Sequence, residues 1–256
     1  MASARIAQKM LADGRLCLVI PAHNERDSIG RMIHEARSVL PTLAPDFQIL
    51  VVDDGSTDGT AEVARAAMEG DDGRLRLIRH ERKSGALVSV ADGLRAAEGE
   101  YVAYIDGDGQ FRVQDLELLA RELGHADLVG GRRLNRADPW FRSIVSGVFN
   151  LTVRLLYGLP YRDMDCGLKL IRRSALERIS PLMGRSACLN AELYFKARRS
   201  RMRVVQIAVP HYPRLTGRRS GGRLRPIARA LRELVLLRLR LASQWRPAGA
   251  GLPSPQ

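Results

Sequence analysis

Cysteine is scarce in this sequence, and its spacing excludes two kinds of site. The 256 residues contain three cysteines, Cys17, Cys166 and Cys188, and no two of them have C-x-x-C spacing. A disulfide framework needs an even set of cysteines, and a structural zinc site needs closely spaced pairs. Neither is indicated, and a reducing cytoplasm is the compartment that best fits such a chain.

Long apolar runs are also missing. No stretch approaches the roughly 18 consecutive apolar residues of a membrane-spanning helix. The first residues, MASARIAQKMLADGR, lack the continuous apolar core of a secretory signal. We therefore expect a cytoplasmic protein that is soluble or peripheral at the cytoplasmic face of a membrane.

Aromatic residues make up only 5% of the chain, whereas 41 basic residues against 28 acidic ones give a net charge of +13. Such a charge implies an anionic partner: a nucleotide, a phospholipid, a nucleic acid or a phosphorylated substrate. A module that binds nucleic acid would interleave aromatic platforms with its basic residues. Because aromatics are few, this alternative is disfavoured and we expect no nucleic-acid partner.

The first half of the chain alternates short apolar runs with helical patterns, which predicts an α/β fold whose mostly parallel central sheet is flanked by helices. The predicted strands are Leu16–Ile20, Phe47–Val52, Leu75–Arg79, Tyr101–Ile105 and Asp127–Gly130. The predicted helices are Asp27–Leu40, Asp58–Glu69, Gly85–Ala97 and Val113–Leu123.

The pattern changes after Gly131. Here the sequence predicts a second layer built onto the sheet, with helices at Trp140–Tyr157 and Leu189–Ser200 and a strand at Met202–Val209. A basic segment follows, then an amphipathic helix at residues 226–245 and a disordered tail at 246–256.

Polar clusters follow three of the predicted strands directly: PAHNE, DDGSTDGT and DGDGQ. In open α/β sheets ligands bind beyond the carboxyl ends of the strands, so we expect the three clusters to share one crevice. Turn and cap chemistry is the structural alternative, and Asp58 in particular is placed to cap a helix.

The segment YIDGDGQF places Asp106, Asp108 and Gln110 at every second position. In an extended backbone such side chains point to the same side, and two close carboxylates need a positive partner. Oxygen ligands suit Mg²⁺ or Mn²⁺. A calcium loop is the rival, but Phe111 stands where that loop needs glycine.

These motifs together resemble family 2 glycosyltransferases, specifically the dolichol-phosphate (polyprenyl-phosphate) mannosyltransferase branch, from about Leu16 to Arg225. VIPAHNE, VVDDGSTDGT, YVAYIDGDGQ, DLVGGRR and DCGLKLIRR occur in the order typical of that family. The resemblance implies a GT-A nucleotide-diphospho-sugar transferase fold. It also implies a domain at 15–225, with 1–14 as an extension.

The resemblance implies roles for individual residues. Pro21, His23 and Glu25 are expected at the base and ribose of the nucleotide sugar, and Val52 and Asp54 at the base, with Asp53 nearby. The other residues expected at the nucleotide sugar are Asp106, Gly107, Asp108, Arg133 and Arg214. Asp106, Asp108 and Gln110 are expected to hold the metal, Asp108 and Gln110 as direct ligands. His23 stands where the family commonly has tyrosine.

Further roles concern the phosphates and the acceptor. Arg133 and Arg214 match phosphate-facing arginines, and guanidinium groups suit phosphate geometry. Asp165 is the expected sugar or acceptor contact, and Glu192 resembles an acid near the acceptor; Asp163 and Lys169 belong to the same motif as Asp165. One departure is Ser220, where relatives carry lysine; Arg218 or Arg219 is the candidate substitute.

The function implied is inverting transfer of a hexose, with GDP-mannose as the leading donor, to a polyprenyl or dolichyl phosphate. The alternative is a cytoplasmic enzyme that glycosylates a soluble small molecule or another carrier from a UDP- or GDP-sugar. For the C-terminal helix two alternatives remain open: docking on its own domain, or binding an anionic membrane surface. Its predicted apolar stripe is Ile227, Leu231, Leu234, Val235, Leu241, Ala242 and Trp245.

Overall fold

A seven-stranded sheet organises the part of the chain that the structure, a computed structural model, describes: residue 11 and residues 13–134, 140–184, 188–214 and 224–245. The strands are β1 (Leu16–Ala22), β2 (Phe47–Asp53), β3 (Leu75–Arg79), β4 (Tyr101–Ile105), β5 (Leu128–Arg133), β6 (Leu168–Arg172) and β7 (Val204–Val209). Across the sheet their order is β3-β2-β1-β4-β6-β5-β7.

Most neighbouring strands run parallel. β1 pairs in parallel with β2 and β4, β2 with β3, and β5 with β7, whereas β6 runs antiparallel to both β4 and β5. Helical crossovers between parallel strands bring the carboxyl ends of β1, β2 and β4 to one edge. The prediction of a mostly parallel sheet flanked by helices is confirmed.

Helices cover both faces of this sheet. They are α1 (Arg26–Leu43), α2 (Thr60–Met68), α3 (Ala86–Ala96), α4 (Leu116–Ala120), α5 (Trp140–Tyr157), α6 (Arg173–Ile179), α7 (Cys188–Arg199) and α8 (Leu224–Gln244). Residues of α1, α2 and α4 pack in one apolar core, and residues of α3, α5, α6, α7 and α8 pack in the other. The helix predicted at 113–123 is shorter, a 3₁₀ turn followed by α4.

The β1 strand shows why the sequence forms this arrangement. Leu16, Leu18 and Ile20 enter the core on one face, while Cys17 and Val19 enter the core on the other. A strand points successive side chains to opposite faces, so a strand that is apolar at every position is buried on both sides. β1 therefore lies in the interior of the sheet.

The sequence predicted that the second half of the chain forms a second layer built onto the sheet. In the structure, β6 and β7 instead extend the same sheet. β6 was missed because its five residues include Lys169 and end in Arg172, charges that interrupt the apolar run. The Lys169 ammonium is fully buried and donates to the hydroxyl of Tyr104 at 2.7 Å. That partner lies on β4, 65 positions away in sequence, so local pattern gives no sign of it.

The C-terminal helix α8 packs on the domain. Leu234, Leu237 and Leu241 are buried, whereas Val235 is exposed, so the predicted apolar stripe was partly wrong. Near the N-terminus Leu11 is buried in the core beneath α1, inside the segment predicted to be an extension. The predicted tail at 246–256 lies outside the described residues. Among the helices described, none has the length and apolar character required to cross a bilayer.

Candidate active site

A crevice of about 420 Å³ opens at the carboxyl ends of β1, β2 and β4. The three polar clusters of the sequence meet there, as predicted. Its lining residues are Pro21, Ala22, His23, Asn24, Glu25, Asp54, Lys83, Ala86, Asp106, Gly107, Asp108 and Arg214. A wider hollow of about 650 Å³ lies at the opposite end of β4, beside Tyr101 and Arg173, but none of the predicted site residues lines it.

Two glycines allow the acidic loop after β4 to pack closely. The amide of Gly107 donates to the carbonyl of Pro21 at 3.2 Å, and a Cβ at position 107 would lie 2.4 Å from that oxygen. Beneath the loop, a Cβ at Gly167 would lie 1.8 Å from a carboxylate oxygen of Asp106. Any side chain at either position would push Asp106 and Asp108 out of the crevice.

The chain does not stay extended through the acidic loop, so the predicted convergence of alternate residues is wrong. β4 ends at Ile105, and a turn follows in which Gly109 has a φ of 72°. The turn directs the side-chain amide of Gln110 toward Tyr212, to whose carbonyl it donates at 3.3 Å. The structure thus brings Asp106 and Asp108 into the crevice and leaves the side chain of Gln110 outside its lining.

Three carboxylates line this part of the crevice, and the charge of Asp108 disfavours ionisation of the other two, Asp106 and Glu25. Burial raises the pKa of Asp106, and the charge of Asp108 raises it further. Burial also raises the pKa of Glu25; Arg214 opposes this shift and Asp108 adds to it. A cation placed among these groups would relieve the repulsion.

Arg214 supplies a positive charge at this point. Its guanidinium donates to a carboxylate oxygen of Glu25 and lies 3.7 Å from a carboxylate oxygen of Asp108. The acidic oxygens therefore accommodate a cation, and their hardness suits Mg²⁺ or Mn²⁺. In the described part of the chain no group of three or more His, Cys, Asp or Glu side chains is arranged to hold a metal ion. Asp106 and Asp108 are the candidate metal ligands in the crevice lining.

Glu25 lines the crevice, and its carboxylate shares the guanidinium of Arg214 with Asp108. Its carboxylate accepts from Ser28 at 3.2 Å, and the same hydroxyl lies 2.9 Å from the carbonyl of Gly107. Helix α1 begins at Arg26, directly after Glu25. Glu25 is thereby tied to the acidic loop, and its expected contact with the base and ribose stays a prediction.

Asp54 orders the loop that leads into α3. Its carboxylate accepts from the amides of Ser84 at 2.7 Å and Gly85 at 2.8 Å and from His80 at 3.1 Å. Burial alone raises the pKa of Asp54, but these hydrogen bonds outweigh it and hold the pKa below its usual value. With both oxygens engaged, the carboxylate shapes the wall of the crevice.

Sequence reasoning missed His80 and Lys83. The second ring nitrogen of His80 lies 3.2 Å from a carboxylate oxygen of Asp92, so the ring bridges two acids. Lys83 lines the crevice. Both residues follow β3, and the sequence after β3 has no acidic cluster that would predict a site there. The parallel pairing of β3 with β2 brings them beside Asp54.

His23 is placed as predicted, whereas Val52 and Asp53 are not exposed to the crevice. A ring nitrogen of His23 lies 2.8 Å from the carbonyl of Asp54, which holds the ring in the lining. Val52 and Asp53 are fully buried, and a carboxylate oxygen of Asp53 accepts from the amide of Ser56 at 3.2 Å. The Val52 side chain belongs to the apolar core, and the Asp53 carboxylate shapes the turn after β2. Asp58 accepts from the amide of Thr60, the first residue of α2, at 3.0 Å, although the N-cap position itself is held by Gly59.

Arg133 pairs with Asp163 and does not line the crevice. Its Nε donates to a carboxylate oxygen of Asp163 at 2.9 Å, a second guanidinium nitrogen donates to the other oxygen, and the Arg133 amide donates to the same side chain. A bidentate pair of this kind fixes the guanidinium plane. In this structure Asp163 engages the guanidinium of Arg133, and the expected phosphate contact stays a prediction.

Asp165 belongs to a buried network behind the acidic loop. Lys169 donates to the Tyr104 hydroxyl at 2.7 Å, that hydroxyl donates to Asn190 at 2.6 Å, and the Asn190 amide lies 3.4 Å from Asp165. Burial raises the pKa of Asp165, and the ammonium of Lys169 opposes the shift. The network supports the floor of the site and keeps Asp165 out of the crevice lining.

Glu192 has no exposed surface, which corrects its expected contact with the acceptor. Its carboxylate accepts from the Lys196 ammonium at 2.6 Å and from the amides of Met183 and Gly184. A carboxylate with these partners is structural. The four-residue spacing of Glu192 and Lys196 on α7 was the sequence signal for this pair.

Comparison with known proteins shows which family this chain resembles. Residues 17–180 match the model of glycosyl transferase family 2. Dodecaprenyl-phosphate galacturonate synthase of Rhizobium johnstonii is 32% identical over 66% of this chain and 51% of its own length. Undecaprenyl-phosphate 4-deoxy-4-formamido-L-arabinose transferase of Aeromonas hydrophila is 27% identical over 80% of this chain and 62% of its own length. The chain thus spans less than two thirds of either relative.

Solved structures share the fold. Glucosyl-3-phosphoglycerate synthase of Mycobacterium tuberculosis, in complex with Mn²⁺, UDP and phosphoglyceric acid, has a TM-score of 0.70 at 18% identity, covering 97% of this chain and 85% of that one. Mannosyl-3-phosphoglycerate synthase of Rubrobacter xylanophilus has a TM-score of 0.65 at 20% identity, covering 98% and 82%. These likenesses show the GT-A fold, and with the match over residues 17–180 they establish that the chain belongs to glycosyl transferase family 2.

Proposed function

We propose that this protein transfers a hexose from a nucleotide-diphospho-sugar to a polyprenyl phosphate, with inversion at the anomeric carbon. One observation supports this most: the crevice brings the carboxylates of Asp106, Asp108 and Glu25 together with the guanidinium of Arg214. A diphosphate leaving group needs both a divalent cation and a cationic side chain at its oxygens. The named relatives that act on polyprenyl phosphates support the lipid acceptor.

Asp106 and Asp108 are the residues that would hold Mg²⁺ or Mn²⁺. The bound ion supplies charge neutralisation to the diphosphate as the bond to the sugar breaks. Arg214 would donate to the diphosphate oxygens, because its guanidinium carries five N–H donors and lies beside the carboxylates that would hold the cation. His23, Lys83 and the loop ordered by Asp54 surround the nucleoside end of the crevice.

The acceptor phosphate is itself the nucleophile. One of its oxygens forms the bond to the anomeric carbon while the bond from that carbon to the donor phosphate breaks, and the nucleoside diphosphate leaves. A phosphate oxygen at neutral pH needs no strong general base. The internal engagement of Glu192 and Asp165 agrees with this requirement, since neither presents a free carboxylate to the crevice.

The donor is the finer part of the proposal. The sequence resemblance favoured GDP-mannose, whereas the relatives are named for galacturonate and for 4-deoxy-4-formamido-L-arabinose. The mannose expectation therefore has no support from these comparisons. It is retained as one donor to be tested beside UDP-sugars.

A matrix of donors and acceptors tests the proposal. Purified protein with Mn²⁺ or Mg²⁺ is incubated with GDP-mannose, UDP-glucose, UDP-galacturonate or UDP-N-acetylglucosamine, each with and without a short polyprenyl phosphate in detergent. We expect one donor to yield a glycosylated lipid phosphate and free nucleoside diphosphate. Product formed only on a soluble acceptor, or no release of nucleoside diphosphate in any lipid-containing arm, would contradict the lipid acceptor.

A further inference from the structure

Exposed apolar side chains are concentrated on two neighbouring helices. Among the described residues, eight large apolar side chains are exposed, and six of them lie on α5 or α8. The six are Val148, Leu151, Leu155, Val235, Leu236 and Leu239. We call this set the α5–α8 surface. Contiguous exposed apolar area on a folded domain marks an interaction site.

Both helices are docked on the domain through their other faces. Val153 and Tyr157 of α5 are buried, as are Leu234 and Leu237 of α8. The Tyr157 hydroxyl donates to the carbonyl of Leu234 at 2.7 Å, so the two helices lie side by side. Because the packing already uses these faces, the apolar side chains of the α5–α8 surface are not needed for the core.

The spacing of the exposed residues confirms that each helix has a second apolar face. Val148, Leu151 and Leu155 follow one another at three- and four-residue steps, which places them on one side of α5. On α8, Val235 and Leu239 are four residues apart and point away from the buried Leu234 and Leu237. A helix turns about 100° per residue. Leu234 and Leu237 therefore lie on the buried side of α8, while Val235 and Leu236 between them lie on the exposed side.

Arginines accompany the α5–α8 surface. Arg154, Arg232 and Arg240 are exposed on the same two helices, and Arg238 lies between them with its Nε donating to the carbonyl of Leu156 at 3.2 Å. Apolar side chains flanked by cations match the interface of an anionic bilayer. The apolar side chains contact the acyl chains, and the arginines contact the anionic headgroups. In a two-fold dimer through this surface, each arginine would lie near the same arginines of the second copy, and their like charges would repel.

We infer that the α5–α8 surface seats the protein on an anionic lipid bilayer. The inference rests on the proposed function in one respect: a lipid acceptor must reach the crevice from a membrane. α5 follows Arg133 in the chain, and α8 follows Arg214. Of these two arginines, Arg214 lines the crevice. Trp245 does not take part, because it packs against Phe195 at a ring distance of 6.4 Å.

Vesicle flotation tests the inference without any turnover. The full chain is mixed with vesicles of phosphatidylcholine, with or without phosphatidylglycerol, and the floating fraction is measured. We expect binding to the anionic vesicles that weakens as salt is raised, since headgroup attraction is screened. We expect the double variant Leu155→Glu, Leu239→Glu to bind the anionic vesicles at least about tenfold more weakly, since two carboxylates would have to enter the interface.

Met68→Glu is the matched control, because Met68 is an exposed apolar residue on α2, outside the α5–α8 surface. It should float as the wild type does. Equal thermal unfolding of all three proteins excludes misfolding. Flotation of the double variant at the wild-type level overturns the inference, and so does an absence of wild-type binding.

The other occupant to be distinguished is a second copy of this chain. Light scattering after size exclusion measures the mass of the wild type and of the double variant. A wild-type dimer that the double variant dissociates would assign the surface to self-association and overturn the bilayer inference. If the protein floats with anionic vesicles but no donor is transferred to the lipid phosphate, only the proposed function is contradicted. If the protein turns over a donor in detergent but does not float, only the docking surface is contradicted.

Discussion

Arg214 joins two carboxylates that come from different strand ends. Glu25 follows β1 and Asp108 follows β4, while Arg214 itself follows β7. The guanidinium therefore connects both halves of the sheet across the crevice. Its planar donors also suit the diphosphate that we propose to bind there.

Replacement of Arg214 by lysine should lower kcat/KM by about tenfold to a hundredfold, because an ammonium lacks the fork that matches phosphate oxygens. Steady-state kinetics with the donor found in the matrix measures this effect. Arg65→Lys is the control, since Arg65 pairs on the surface with Glu62 at 3.1 Å and should tolerate the change. Equal and negligible effects of the two substitutions would show that Arg214 does not engage the phosphates.

Asp108 provides the second test at this scale. Asp108→Asn keeps the size of the side chain and removes one negative charge from the candidate metal site, so we expect turnover to fall by roughly a hundredfold or more. Titration with Mn²⁺ followed by electron paramagnetic resonance should show weaker binding in the variant. Wild-type metal affinity in the variant, or full wild-type activity in excess EDTA, would argue against a metal at Asp108.

At the scale of elements, α8 is an integral part of the domain. Leu237 is 5% exposed and belongs to the core beneath α5 and α7, whereas Leu239, two residues away, is 62% exposed. The helix therefore carries one face that stabilises the fold and another that does not. The described side chains of the helix, from Leu231 on, therefore dock on its own domain, and a membrane at its outer face stays a proposal.

Leu237→Ala should lower the free energy of unfolding by about 2–4 kcal/mol, because it removes buried apolar area and leaves a cavity. Leu239→Ala on the same helix should change it by less than about 0.5 kcal/mol. Urea denaturation of both variants measures the difference. Similar, small effects of both substitutions would mean that α8 does not contribute to the core.

A second element-scale contact joins α1, the end of α2 and β3. Asp71 accepts from Arg37 of α1 at 2.6 Å and from the amide of Leu75 at the start of β3 at 2.7 Å. Burial alone raises the pKa of Asp71, but these hydrogen bonds outweigh it and hold the pKa below its usual value. The ionised carboxylate therefore stabilises the folded state.

The pH dependence follows from that lowered pKa. The stabilisation is fully present above the unfolded-state pKa of about 3.9 and is lost as pH falls through the lower folded-state pKa. Asp71→Asn should thus lower the free energy of unfolding at pH 7 by roughly 1–3 kcal/mol, with a smaller difference from wild type at pH 3. Asp72→Asn is the control because Asp72 is 65% exposed. A difference between Asp71→Asn and wild type that does not change with pH would contradict this assignment.

For the whole molecule, the crevice couples ligand binding to global stability. Its lining comes from β1, β2 and β4, from the loop before α3 and from the segment after β7. A ligand that bridges these parts binds the folded state and has no equivalent site in the unfolded chain. Stability then rises with ligand concentration by mass action.

A nucleoside diphosphate with Mn²⁺, each at about a hundred times its dissociation constant, should raise the melting temperature by roughly 5 °C or more. Differential scanning fluorimetry with UDP and GDP measures the shift and ranks the two bases. Asp108→Asn should lose most of the metal-dependent part. A shift of the same size in that variant, or none in the wild type with either nucleotide, would contradict the placement of the donor in this crevice.

The sequence by itself determined the order and type of most elements, because fully apolar strands and amphipathic helices are local patterns. It also determined the strand-end clusters, since parallel strands bring their carboxyl ends to one edge. Pro21, His23, Asp54, Asp106 and Asp108 were placed in the crevice on this basis.

Only the tertiary structure decided which charged side chains remain free for a ligand. Arg133 looked functional in the sequence, yet Asp163, 30 positions away, engages its guanidinium inside the protein. Glu192 looked functional as well; its partner Lys196 lies four residues away on α7, but the amides of Met183 and Gly184 that also hold the carboxylate come from a separate segment. The Lys169 ammonium is buried against Tyr104 in the same way. A buried charge needs a partner, and that partner often comes from a distant strand or loop. Local sequence contains no record of such long-range pairs, so the pairing emerges only when the chain folds.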